Sequence, residues 1–259
     1  MAKFDGKYIR GAVGPVIFKK TKAGQTMCSR PAPGTMKQTR ETKNASDTFG
    51  MTSILSTELK NSFSSELMDL QDNTMYIRLV KILSQVIYSC CDRETRQYQF
   101  EPDSFNPLAG FEFNIVSPVV KRLGILPQMN YNKGMLSLFF QDAGKPNKLE
   151  FVKGSSYCDM TVAVTLIRLA DGLRTMGPML QEQRFDKETT ADLRGKRFDF
   201  VVPDGCLCVM SMFLKFHSYK ELKNNKTFSP AIICGAIITA GTYVAGDKRK
   251  WIDLRAKFG

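Results

Sequence analysis

The chain has 259 residues, 43% of them hydrophobic, which is enough to bury a full core and excludes both a disordered and a collagen-like polymer. Its formal net charge of +12 is uneven: between Lys3 and Lys43, ten Lys or Arg stand against Asp5 and Glu41 alone. The remainder is nearly balanced, so a uniformly basic body is excluded and the attraction for an anionic partner is local.

The first segment combines this charge with Gly6, Gly11, Gly14, Gly24 and Gly34 and with Pro15, Pro31 and Pro33, and it has few large apolar residues. Short strands are predicted at Lys7–Ile9 and Pro15–Lys19, with Gly11 and Gly14 between them. Alternation puts Val16 and Phe18 on one face and Ile17 and Lys19 on the other. Lys20–Gly24 reads as a turn and Gln25–Arg30 as a return strand. Residues 1–34 are therefore expected to form a basic arm or β-hairpin. A lone hairpin is marginal in water, so this one must lie against another surface.

Pro31-Ala32-Pro33-Gly34 breaks the chain, and Thr35 is the predicted N-cap of a helix starting at Met36. Apolar residues then recur at Ala45, Phe49, Met51, Leu55, Leu59 and Phe63, a helical stripe in which Gly50 costs about 1 kcal/mol against Ala. Lys37, Arg40 and Lys43, three apart, share one face of its polar beginning. That row is either a set of phosphate contacts or the solvated side of an amphipathic helix. Asp72 or Asn73 caps a second helix through Cys90, with Met75, Leu79, Ile82, Leu83, Val86 and Ile87 on its apolar face. Residues 35–96 thus read as an antiparallel helical pair resting on a sheet.

From Gln97 onward the apolar period becomes two. Met135–Phe140, Leu149–Val152, Met160–Leu169, Arg197–Val202, Gly205–Phe216 and Ala231–Ala240 read as strands. In Gly205–Phe216, Cys206, Cys208, Met210, Met212, Leu214 and Phe216 share one face, and Leu207, Val209 and Phe213 the other. Both faces are apolar near its start, which predicts a central strand. Leu173–Leu193 is polar and reads as a long exposed connection or a ragged hairpin, dividing the body into one or two β units. The expected fold class is α+β, mostly β, with residues 97–259 as an antiparallel β-sandwich or barrel-like body.

Signals for chemistry are sparse. Seven cysteines, an odd number with no Cys-x-x-Cys, make a poor disulfide framework and a poor zinc site, and favour a reducing compartment. The lone His217 ends an apolar strand, with no second histidine for a metal. A thiol partner from Cys206 or Cys208 would sit on a stripe of Met, Leu and Phe, the wrong setting for a thiolate. Gly11-Ala12-Val13-Gly14 lacks the Gly-Lys-Ser/Thr of a phosphate loop. No catalytic residue, metal site or cofactor site is therefore assigned. Phe105, Phe111 and Phe113 near Lys121 and Arg122 suit either base stacking or a core plug. Lys248, Arg249 and Lys250 beside Trp251 suit either phosphate contact or a surface cluster. The first residues lead into no apolar run, and no 18-residue apolar stretch occurs, so neither a signal peptide nor a membrane span is expected.

Gly11-x-x-Gly14-Pro15-Val16, then Ser29-Arg30-Pro31 and a Thr-rich helix start running to Phe49, resembles the N-terminal signature of uncharacterised proteins from Bacteroidota. The match covers mainly the first fifth of the chain, with Phe111-Glu112-Phe113-Asn114 fitting loosely. The resemblance implies no activity and carries over no catalytic residue; it implies an intracellular or phage-associated bacterial setting. The expected function is that of a non-enzymatic structural or assembly protein, cytoplasmic or virion-associated. Its arm engages another protein or its own copies through Ile9, Val16, Phe18, Lys19, Lys20, Lys22 and Arg30. The alternative is nucleic-acid binding, with Lys37, Arg40 and Lys43 joining the arm at phosphates. A hydrolase using His217 is the residual reading.

Overall fold

Short apolar and β-branched runs separated by glycines occupy the first thirty residues, and there the chain folds as a meander. The structure, a computed structural model, describes residues 2–21, 24–32, 39–67, 70–92, 94–95, 97–142, 144, 147–170, 172–188, 192–218 and 230–241, and the backbone of 251–253. It divides into two compact units, Met1–Asp47 and Thr48–Gly259.

In the first unit, Lys3–Phe4 (β1), Ile9–Val13 (β2), Val16–Thr21 (β3) and Gly24–Ser29 (β4) form one antiparallel sheet in the order β1-β2-β3-β4. This adds β1 to the three strands expected of the hairpin arm, and Gly11, expected between strands, lies inside β2. Turn chemistry explains the difference. Val13 pairs with Val16, so Gly14-Pro15 is a two-residue loop, and Gly14 has φ +53°. Glycine at the first central position followed by the fixed negative φ of proline suits a type II′ turn, whose twist matches the strands it joins. Asp5 makes the earlier turn by accepting the Tyr8 N–H at 2.8 Å.

Arg40–Ser62 (α1) begins in the first unit and continues into the second. The expected cap Thr35 and the start at Met36 lie outside the described residues. Thr39 does the capping, its Oγ1 accepting the Thr42 N–H at 3.2 Å. Gly50 sits within the helix without ending it. The buried face is Thr52, Leu55, Ser56, Glu58, Leu59 and Ser62. The hydroxyls of Thr52, Ser56 and Ser62 donate to carbonyls four residues back, at 2.8, 2.7 and 2.7 Å, so they are buried without loss. Phe49 and Met51, expected on the apolar stripe, are 62% and 37% exposed. Periodicity marks a face but not how far along the helix that face is covered. Ser64–Leu67 (α2) follows, and Met75–Ser89 (α3) buries Met75, Leu79, Leu83, Val86 and Ile87 as its spacing predicted.

The remaining strands are Gln128–Asn132 (β5), Met135–Phe139 (β6), Tyr157–Arg168 (β7), Leu173–Thr175 (β8), Met179–Asp186 (β9), Arg197–Val201 (β10), Leu207–His217 (β11), Ala231–Ile238 (β12) and Trp251–Asp253 (β13). One sheet runs β10-β6-β5; the larger runs β12-β11-β7-β8-β13, with β9 also paired to β7. All these pairs are antiparallel. The segment read as an exposed connection or a ragged hairpin thus supplies two strands; the half-buried face of β9 (MLQEQRFD) sets Gln181 and Gln183 between Met179 and Phe185, so its apolar alternation is hidden. Leu149–Val152 is not a strand: Leu149 only bridges Leu123, and the chain then turns at Lys153-Gly154.

β11 is central, between β7 and β12, as two apolar faces require. Leu207, Val209 and Phe213 enter a core shared with α1, α2 and α3. Cys206, Cys208, Met210, Met212 and Leu214 enter a second core with Leu136, Leu138, Phe198 and Phe200 of the smaller sheet. The unit is therefore three layers: helices, large sheet, small sheet. Phe105, Leu108, Phe111 and Phe113 fill the helical side. The backbone around them pairs with β12, Phe113 N donating to Ala231 O at 2.8 Å and Ile233 N to Phe111 O at 2.9 Å. These phenylalanines are a core plug and present no ring for base stacking.

Candidate partner-binding surface

Pairing register decides which arm residues share a face, because directly opposed residues point the same way. Phe4 is opposite Ile9, Phe18 opposite Met27, and Val13 opposite Val16. With the alternation along each strand, one face carries Phe4, Ile9, Val13, Val16, Phe18 and Met27. The other carries Lys3, Arg10, Ala12, Ile17, Lys19, Thr26 and Cys28, with Lys3 directly opposite Arg10. The first face also bears Lys20, Gln25 and Ser29, so the arm is a two-faced sheet, mainly apolar on one side and mainly basic on the other.

The apolar side is open. Phe4 is 70% exposed, Met27 69% and Val13 53%, and no described residue up to Asp47 is buried. Scattered apolar residues on a surface are ordinary, but six on one sheet face are a contiguous patch. Of the expected partner-binding residues, Ile9, Val16 and Phe18 come together on this face and are half-buried. Lys19 and Lys20 are exposed on opposite faces, and exposed Arg30 donates its N–H to Pro15 O at 2.6 Å just past β4. Lys22 lies outside the described residues. Phe4, Val13 and Met27 were missed. Only the register joins them to the set, and Val13 lay between two predicted strands.

Charge on the sheet is held locally. Arg10 pairs with Asp5 at 3.2 Å, and the Tyr8 N–H bond to the Asp5 carboxylate, aided by Lys7 N–H and Arg10, holds its pKa below the usual range. The Lys20 Nζ stands 4.7 Å from the centre of the Tyr8 ring. Of the phosphate-contact candidates, Arg40 and Lys43 are exposed in the first turn of α1, and Lys37 lies outside the described residues. The Lys248–Lys250 cluster lies outside them as well.

His217 is the last residue of β11. Its ring stacks on Tyr157 at 4.8 Å, and its Nε2 is 3.3 Å from Asp159 Oδ2. Asp159 is already held by Arg184, whose Nε donates at 2.7 Å. Cys206 and Cys208 point to the opposite face of the sheet and are fully buried, so the structure does not bring them to His217. The neighbouring Cys158 also lies in the inter-sheet core, where burial pushes its thiol pKa far up. Among the described residues, no three His, Cys, Asp or Glu gather where a metal could be held, and no helix is long and apolar enough to cross a membrane. Glu112, raised in pKa by burial, accepts the N–H of Val119 at 2.9 Å, the first residue of a short 3-10 turn at Val119–Lys121.

Comparison with protein-family models, with curated proteins and with solved structures gives no significant match to this chain.

Proposed function

We propose that this is a non-enzymatic structural or assembly protein whose N-terminal sheet docks on a neighbouring subunit or partner. One observation carries the reading: six apolar side chains lie on a single sheet face, with Phe4, Val13 and Met27 more than half exposed. Burying apolar surface is worth about 25 cal/mol per Å², so a face of this kind gains by being covered. The layered second unit has two apolar cores of its own. A bacterial or phage-associated setting is part of this proposal, and its support is the resemblance of the N-terminal segment to uncharacterised Bacteroidota proteins, which names no activity. Deleting residues 1–34 tests it by light scattering, with circular dichroism as a check on the remaining fold. The assembly mass is expected to fall; an unchanged mass rejects the reading.

The basic face supports nucleic-acid binding as a second reading. Lys3 is opposite Arg10, and Lys19 follows on the same face one strand over. Neutralised phosphates release counterions, so affinity for labelled DNA should fall by about 0.9 log unit per log unit of salt for each contact. Lys3→Ala, Arg10→Ala and Lys19→Ala together should flatten that slope. Salt-independent binding rejects it.

A further inference from the structure

We propose that β4 is the edge along which two copies of this chain join, each laying its β4 antiparallel to the other's in one continuous eight-stranded sheet. The inference rests on the docking role just described and names the partner as a second copy.

β4 pairs only with β3; among the described residues its other side carries no strand. Its sequence, Gly24-Gln25-Thr26-Met27-Cys28-Ser29, holds no charge and no proline, and its register with β3 runs without a bulge. Lysines, prolines and bulges are the devices that blunt sheet edges against pairing, and β4 lacks all three. The opposite edge, β1, is two residues long and offers no comparable template.

The open hydrogen-bonding groups can be named. Arg30 N donates to Pro15 O at 2.6 Å. In an antiparallel ladder, inward-bonded residues alternate, so Cys28, Thr26 and Gly24 bond toward β3. Gln25, Met27 and Ser29 then direct their N–H and C=O groups outward. A two-fold axis at Met27 pairs Met27 with Met27, Gln25 with Ser29 and Thr26 with Cys28, making about six backbone bonds. Arg30 falls opposite Gly24, which has no side chain to meet it. The pairing is isologous and closes on itself, as dimers require.

Charge permits this partner. Among the described residues, the lysines nearest this edge, Lys19 and Lys20, are on β3, so those of the two copies stand three strand spacings apart, about 14 Å. That exceeds the screening length of about 8 Å at physiological salt. An uncharged edge offers nothing to a polyanion, which would seek the basic face.

The test is the mass of the full chain by analytical ultracentrifugation, with three sets of variants. The wild type is expected at twice the 29.2 kDa of one chain. Met27→Pro removes an outward N–H and no bond of the chain's own sheet, and Met27→Lys sets two ammonium groups face to face. Both are expected to weaken the dimer at least tenfold. Opposed residues have Cα atoms about 5.5 Å apart, within disulfide range. Oxidised Met27→Cys/Cys28→Ser should therefore cross-link, and Thr26→Cys/Cys28→Ser should not. A wild-type monomer at every concentration, a dimer indifferent to both Met27 variants, equal cross-linking at positions 26 and 27, or association only when DNA is added would each overturn the proposal. If deleting residues 1–34 dissolves an assembly that the Met27 variants leave whole, the docking role survives and β4 pairing does not. If the deletion also changes nothing, both fail.

Discussion

Glu58 of α1 and Arg174 of β8 form an ion pair inside the protein, their side chains 2% and 7% exposed. Arg174 also donates to Thr175 O at 2.8 Å, so its charge and hydrogen bonds are both answered. The pair ties the helical layer to the short strand that leaves the end of β7.

A buried pair is fragile to losing one member, because the other charge is then left without its partner. Arg174→Met is expected to cost about 3–5 kcal/mol in urea unfolding. Glu58→Leu combined with Arg174→Met should recover most of that loss, since neither charge then remains. A double variant as unstable as the single would show that the pair itself, and not the orphaned charge, sets the cost.

Asp72 gives the acid limb of stability. Burial alone would raise its carboxyl; bonds from Thr74, the Ile115 N–H and Arg78 more than offset that and bring it to about 2 from 3.8. Its side chain is 11% exposed, so solvent screens little. The folded pKa lies below the unfolded one, so folding favours the charged form. That contribution, about 2 kcal/mol, is complete above pH 4 and is lost as pH falls toward 2. Asp72→Asn should lose a similar amount at pH 7 and flatten the profile between pH 4 and 2. A parallel profile would mean that another carboxylate sets the limb.

Gly235 on β12 stands against Met129 of β5, on the other sheet. A Cβ there would sit 2.7 Å from Met129 Cε and 2.9 Å from its Sδ. Gly235→Ala is expected to cost about 1–2 kcal/mol by thermal unfolding, since a flexible methionine yields but loses packing. Met129→Ala should make Gly235→Ala nearly neutral. Additive costs would separate the two residues.

Gly50 offers the opposite sign. It lies within α1, and a Cβ added there would have nothing within 4 Å, so it meets no obstacle. Gly50→Ala should stabilise the protein by about 0.5–1 kcal/mol, from helix propensity and a less flexible unfolded chain. A loss of stability would mean that α1 needs the glycine for something other than its helical backbone.

What the residues determined unaided were local quantities. Spacing marked the buried face of α3 from Met75 to Ile87, and two apolar phases in one strand made β11 central. The gathering of basic residues before Lys43 was equally plain. Tertiary structure decided the rest. The polar β9 looks like a loop until β7 is there to pair with it, because its half-buried face holds two glutamines between Met179 and Phe185 and shows little apolar alternation. Thr39 caps α1 because the helix starts there, and hydroxyl residues four apart look alike in sequence. The apolar face of the arm exists only through register: Phe4, Val13 and Met27 join Ile9, Val16 and Phe18 because neighbouring strands set which residues stand opposite. A one-residue slip would send each to the other side, and that choice is made between segments, not within one.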